Sequence, residues 1–144
     1  MLLGEFRCGT DSEGRLTVPP EFRAQLMAGA TVTRGIERCL FVYPVAEWQK
    51  LAEKMQDRLP LTSRQARAFR RLLFSGAMTC APDQRGRIRL PNGLRQYANI
   101  EDDVVMVGLV SHLEIWSPRQ WDEMSAALAD DGVALAEELG EFGI

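Results

Sequence analysis

Asp83-Gln84-Arg85-Gly86-Arg87-Ile88-Arg89-Leu90-Pro91-Asn92-Gly93-Leu94-Arg95 decides the fold, because the chain contains this stretch twice. Its counterpart is Asp11-Ser12-Glu13-Gly14-Arg15-Leu16-Thr17-Val18-Pro19-Pro20-Glu21-Phe22-Arg23. A shift of seventy-two residues lays Asp11 on Asp83, Gly14 on Gly86, Arg15 on Arg87, Pro19 on Pro91 and Arg23 on Arg95, with Cys8 falling on Cys80. One further residue carries the match onward, with Gly35 on Gly108, Leu40 on Leu113, Tyr43 on Trp116 and Trp48 on Trp121. Self-similarity of this kind marks two copies of one structural unit.

Each copy reads as a strand, a tight turn, a short strand and the start of a helix. Asp at the head of a turn accepts backbone N–H bonds, Gly supplies a backbone angle that other residues reach only with strain, and Pro closes the short strand. Asp11 and Arg15, like Asp83 and Arg87, flank a glycine turn four residues apart, so each carboxylate can hold a guanidinium in one direction. In a single copy such a pair reads as a turn brace. Two copies in one chain, with Arg23 and Arg95 downstream, favour a surface that presents cations.

Working outward, Leu2 to Thr10 is a strand with Phe6 and Cys8 on one side and Glu5 and Arg7 on the other. Pro19-Pro20 pre-sets a helix over Glu21 to Met27, and Thr31 to Arg34 with Cys39 to Tyr43 form two strands around Gly35. Pro44 opens a helix that carries Trp48, Leu51 and Met55 at core spacing. Thr62 or Ser63 caps the helix that runs to about Leu73, which exposes Arg64, Arg67, Arg70 and Arg71. The second half repeats the plan: strand Ser75 to Cys80, the turn, strand Arg87 to Leu90, helix Asn92 to Tyr97, strands Val104 to Val110 and His112 to Trp116, and a helix from Pro118. Val104-Val105-Met106-Val107 is an unbroken apolar run, as expected of a strand covered on both faces. Beyond Ala126 the chain is an acidic helix or tail.

The net charge of −3 hides a segregation. Residues 1 to 121 carry all 17 Lys and Arg against 13 acids, whereas residues 122 to 144 carry seven acids and no base. Only Lys50 and Lys54 among the cations are Lys, and the Arg bias suits planar contact with phosphate or guanine edges. Three widely spaced cysteines form neither a disulfide framework nor a zinc motif, and the lone His112 has no companions for a metal. No cofactor motif is present. One His, no phosphate loop and no clustered Cys argue against an enzyme. A structural or assembly protein without DNA binding is the remaining rival. No signal peptide or membrane span is legible, which predicts a cytoplasmic protein.

The paired Asp-x-x-x-Arg elements, each followed by an aliphatic strand, Pro and then Phe or Leu before Arg, resemble the MraZ family, whose halves are related to AbrB swapped-hairpin domains. The resemblance covers roughly residues 1 to 125. It implies a nucleoid-associated transcriptional regulator that binds direct repeats in the promoter of the bacterial division and cell-wall gene cluster and assembles as a homo-oligomeric ring. The family commonly has Lys where this chain has Glu13, so the second turn is expected to matter more for phosphate binding than the first.

The fold expected is therefore α+β: two tandem swapped-hairpin halves sharing a barrel-like core across a pseudo-two-fold axis, with flanking helices. Residues 1–60 form the first half, 61–125 the second, and 126–144 the acidic C-terminal segment. Interleaving is expected because an isolated hairpin of two short strands is not stable in water. The partner is double-stranded DNA, with no membrane and no small-molecule substrate. Its contacts are assigned to Arg15 and Arg87, joined by Arg7, Arg85 and Arg89, on turns made by Asp11, Gly14, Asp83 and Gly86.

Overall fold

A computed structural model describes residues 1–143. In chain order the elements are β1 (Leu2–Gly9), β2 (Arg15–Thr17), α1 (Pro20–Leu26), β3 (Ala30–Arg34), β4 (Leu40–Pro44), α2 (Val45–Arg58), α3 (Arg64–Ser75), β5 (Met78–Cys80), β6 (Arg87–Arg89), α4 (Asn92–Tyr97), β7 (Asp103–Val110), β8 (Leu113–Trp116) and α5 (Pro118–Glu138). Six strands make one antiparallel sheet in the order β1-β7-β8-β4-β3-β5, and β2 pairs with β6 as a separate ribbon.

Exchanging the halves turns that order into its own reverse. The first strand of each half pairs with the third strand of the other, and the pseudo-two-fold axis runs between β4 and β8 and through the Leu16–Ile88 pair of the ribbon. Neither half therefore completes a sheet alone. The swap is present, but the barrel-like closure is not: β1 and β5 are the outer strands of an open sheet. β5 has three residues because α3 continues to Ser75 into the stretch that the sequence assigns to strand. The end of α3 is pinned there, since the Thr33 hydroxyl donates to the Leu73 carbonyl and Arg34 Nε donates to the Leu72 carbonyl at 2.9 Å. These bonds satisfy carbonyls that a helix end leaves unpaired.

Two apolar layers sandwich the sheet. On one face Val104 and Met106 join Leu16, Val18, Phe22, Ile88, Leu90 and Leu94 beneath the ribbon and α1 and α4. On the other, Val105 and Val107 join Phe41, Met55, Leu73 and Trp116 under α2 and α3, with Trp121 and Met124 of α5 alongside. The continuous apolar run is thus covered on both sides. Phe22 is buried and meets Phe6 edge-to-face at 5.0 Å; burying such a side chain contributes about 2–3 kcal/mol. Ser63 caps α3 by accepting the Ala66 N–H at 3.2 Å. α5 runs without a break from Pro118 to Glu138, and every described residue from Ala126 onward is exposed. No described helix is long and apolar enough to cross a membrane.

Candidate nucleic-acid interface

The two glycine turns are built bond for bond alike. Asp11 Oδ1 accepts the backbone N–H groups of Glu13 and Arg15, both at 2.9 Å, and its Oδ2 accepts Arg15 Nε–H at 2.7 Å. Asp83 Oδ1 accepts the N–H groups of Arg85 and Arg87 at 2.9 Å, and its Oδ2 accepts Arg87 Nε–H at 2.9 Å. Gly14 and Gly86 sit at φ +78° and +74°, which explains why both copies carry Gly there. The backbone N–H of Arg15, then its side chain, hold the Asp11 carboxyl below its usual range, and the N–H groups of Arg87 and Arg85 do the same for Asp83. Both carboxylates are therefore charged at neutral pH and keep each guanidinium from swinging.

The turns also brace each other across the axis. Val18 N–H donates to the Gly86 carbonyl at 2.8 Å and Leu90 N–H to the Gly14 carbonyl at 3.0 Å. Arg23 lies over Gly86 with its Nε donating to the Val18 carbonyl at 2.8 Å, while Arg95 lies over Gly14 with Nη2 donating to the Glu101 carbonyl. These two arginines are packing elements rather than presented cations, which corrects the reading of them as part of a basic surface. The repeat spacing marks them as equivalent, but nothing in either copy says that the glycine each one covers belongs to the other.

On the ribbon Arg15 pairs with Arg89, Leu16 with Ile88 and Thr17 with Arg87. Leu16 and Ile88 are buried, so alternation sends Arg15, Thr17, Arg87 and Arg89 to the outer face. Asp11 reaches across to Arg87 Nη1 at 3.8 Å, and Glu13 Oε2 lies 3.4 Å from Arg15 Nη2 and 3.6 Å from Arg89 Nη2. Arg85 borders the same shallow depression as Arg15, Thr17 and Arg87. The fold thus brings together Arg15, Arg85, Arg87 and Arg89. Arg7 stands apart: it leaves the opposite face of the sheet from the ribbon and pairs with Asp122 of α5 at 2.7 Å. Thr17 joins the face without having been singled out, although strict alternation from Arg15 marks it.

His112 lies away from this face, stacked on Tyr43 at 4.7 Å, and burial lowers its pKa. No cluster of His, Cys, Asp and Glu suited to a metal lies among the described residues. A two-stranded ribbon with splinted guanidiniums has the width and chemistry to enter a major groove, where Arg can contact phosphate oxygens or base edges.

Comparison with known proteins agrees with the duplication. The model of the MraZ protein family, described as antitoxin-like, matches the chain twice, over residues 1–72 and 73–139, so the two matches meet inside α3. The protein named transcriptional regulator MraZ of Natranaerobius thermophilus is 45% identical over 144 residues, the whole of both chains. Its namesake in Limosilactobacillus reuteri is 48% identical over 139 residues, 96% of this chain and 97% of the relative. That of Halothermothrix orenii is 42% identical, spanning 92% of this chain and all of the relative.

Proposed function

Since the chain belongs to the MraZ family, we propose that it is a transcriptional regulator that binds duplex DNA with the outer face of the β2–β6 ribbon. The observation that carries this reading is the pairing of Arg15, Arg87 and Arg89 on one exposed face with two of the three guanidiniums held by Asp11 and Asp83. A fixed guanidinium loses less freedom on docking than a loose one, so the contact is pre-organised. Arg15 and Arg87 are assigned the central contacts, with Arg85 and Arg89 flanking them. Arg7 contributes only if its pair with Asp122 opens. On this reading the protein works in the cytoplasm, associated with the nucleoid.

A few phosphate contacts hold DNA weakly, at about 10⁻⁴ to 10⁻⁶ M. Linked sites raise avidity by about 10² to 10⁴ because the second contact is intramolecular. We therefore assign the protein to a homo-oligomer larger than a dimer, closed as a ring by a head-to-tail contact, that binds promoter direct repeats. The test is a gel shift with the DNA upstream of the protein's own gene, using duplexes with one and with three repeats, alongside light scattering. An oligomer that prefers three repeats supports the reading. A folded protein without affinity for any duplex removes it, and a monomer that binds both duplexes equally removes the assembly.

A further inference from the structure

The two arginine turns fold alike but carry opposite charge. From residue 11 to 17 one cation, Arg15, faces two anions, Asp11 and Glu13. At the second turn two cations, Arg85 and Arg87, stand with one anion, Asp83, because Arg89 lies across from Arg15 beside Glu13. Asp11 and Asp83 do the same work in both turns, so much of the imbalance comes from position 13 and its equivalent 85. Glu13 is more than half exposed and sits beside guanidiniums of both copies, 3.4 Å from Arg15 and 3.6 Å from Arg89. Arg85 is exposed and makes no ion pair among the described residues.

We infer that Glu13 gives this near-symmetric ribbon a direction on DNA. A two-fold reader with equal ends docks equally well in either orientation and matches a palindrome. Here the carboxylate of Glu13 masks Arg15 and Arg89 and repels phosphate from the first turn, while Arg85 and Arg87 leave the second turn open to it. The second turn then sits on the sugar-phosphate backbone. The first lies over the groove, where a carboxylate can accept from the amino groups of cytosine or adenine. This inference rests on the DNA-binding reading and specifies how the protein orients on one asymmetric repeat.

Glu13 makes none of the bonds that shape its turn, since those come from Asp11, so Glu13→Gln keeps the fold. It is expected to bind any duplex roughly fivefold tighter, the effect of one unmasked charge at contact distance in water, and to steepen the salt dependence by about one unit of slope. Orientation is read directly with an iron chelate attached through Ser12→Cys. Cys8 and Cys80 are half-buried and burial raises both thiols, while Cys39 is buried, so labelling at mild pH is selective. With native Glu13 the chelate cleaves near one end of a single asymmetric repeat. In the swapped protein, Glu13→Arg with Arg85→Glu, net charge is unchanged and cleavage moves to the other end. Cleavage at the same end in both proteins, or unchanged affinity and slope in Glu13→Gln, overturns the inference while leaving DNA binding in place. A native chain without affinity for duplex removes the DNA-binding reading first, and this inference with it.

Discussion

Arg23 of the first copy lies across Gly86 of the second, so that a Cβ added to Gly86 would run into its guanidinium stem. Gly86 therefore meets two demands, a positive φ and room for a side chain from the other half. Gly86→Ala is expected to cost about 1–3 kcal/mol, combining backbone strain with displacement of Arg23 from the Val18 carbonyl. Urea unfolding of Gly86→Ala, Arg23→Ala and the double variant checks this. Because the clash vanishes once Arg23 is gone, the double variant should lose less than the two single losses added together. Strict additivity would show that the cross-brace carries no energy.

Much of this architecture was legible in the sequence for local reasons. Asp, Gly and Arg at fixed offsets specify the turn wherever they occur, and Val104 to Val107 has no polar side to show solvent. What escaped reading is set through space. The repeat predicts interleaved halves, yet not that Arg23 and Arg95 reach over the opposite glycine instead of facing outward. Alternation in β1 correctly separates Arg7 from Phe6 and Cys8, but only the sheet order shows that its side of the strand faces α5 and not the ribbon. The start of β5 at Met78 instead of Ser75 goes with α3 reaching Ser75, where Thr33 and Arg34 bind its last carbonyls, a long-range contact that no propensity encodes.

Acid should loosen the turns. Asp83 is held below the ordinary carboxylate value of about 4 by the backbone N–H of Arg87, the backbone N–H of Arg85 and the guanidinium of Arg87. Between the folded and unfolded values the unfolded chain binds more protons, so stability falls as pH falls. The contribution is fully present above the unfolded value and is lost as pH drops through the folded one. Asp83→Asn keeps the Oδ1 acceptor but removes the charge. Its urea midpoint should lie below that of the native protein at pH 7 and converge with it towards pH 2; a gap constant over that range would contradict the assignment.

The two motif arginines should contribute unequally to DNA binding. Arg15 is shared between Asp11 and Glu13, whereas Arg87 is held by Asp83 with a longer contact to Asp11 and has Arg85 beside it instead of an acid. Arg87→Ala is expected to weaken binding to any duplex more than Arg15→Ala, with each replacement flattening the salt dependence by about one unit of slope per lost phosphate contact. Titrations at several salt concentrations read both quantities. Equal losses would make the Glu13 asymmetry irrelevant to affinity, and a folded double variant with unchanged affinity and slope would remove the ribbon face as the interface.

The acidic arm tests how far the negative charge of the whole chain bears on function. α5 is anchored by Trp121 and Met124 against the helical face of the sheet, but from Ala126 onward its described residues are exposed. This outer segment carries Asp130, Asp131, Glu137, Glu138 and Glu141 without a cation, so it repels a polyanion. Removing residues 126–144 should therefore leave the thermal transition cooperative and shift it little, because no buried side chain is lost among the described residues. Affinity for duplex should stay the same or rise, and any rise should shrink as salt screens the repulsion over a Debye length of about 10 Å at 0.1 M. An unfolded truncated chain would show that the arm completes the core, and weaker DNA binding by a folded one would show that the arm assists docking.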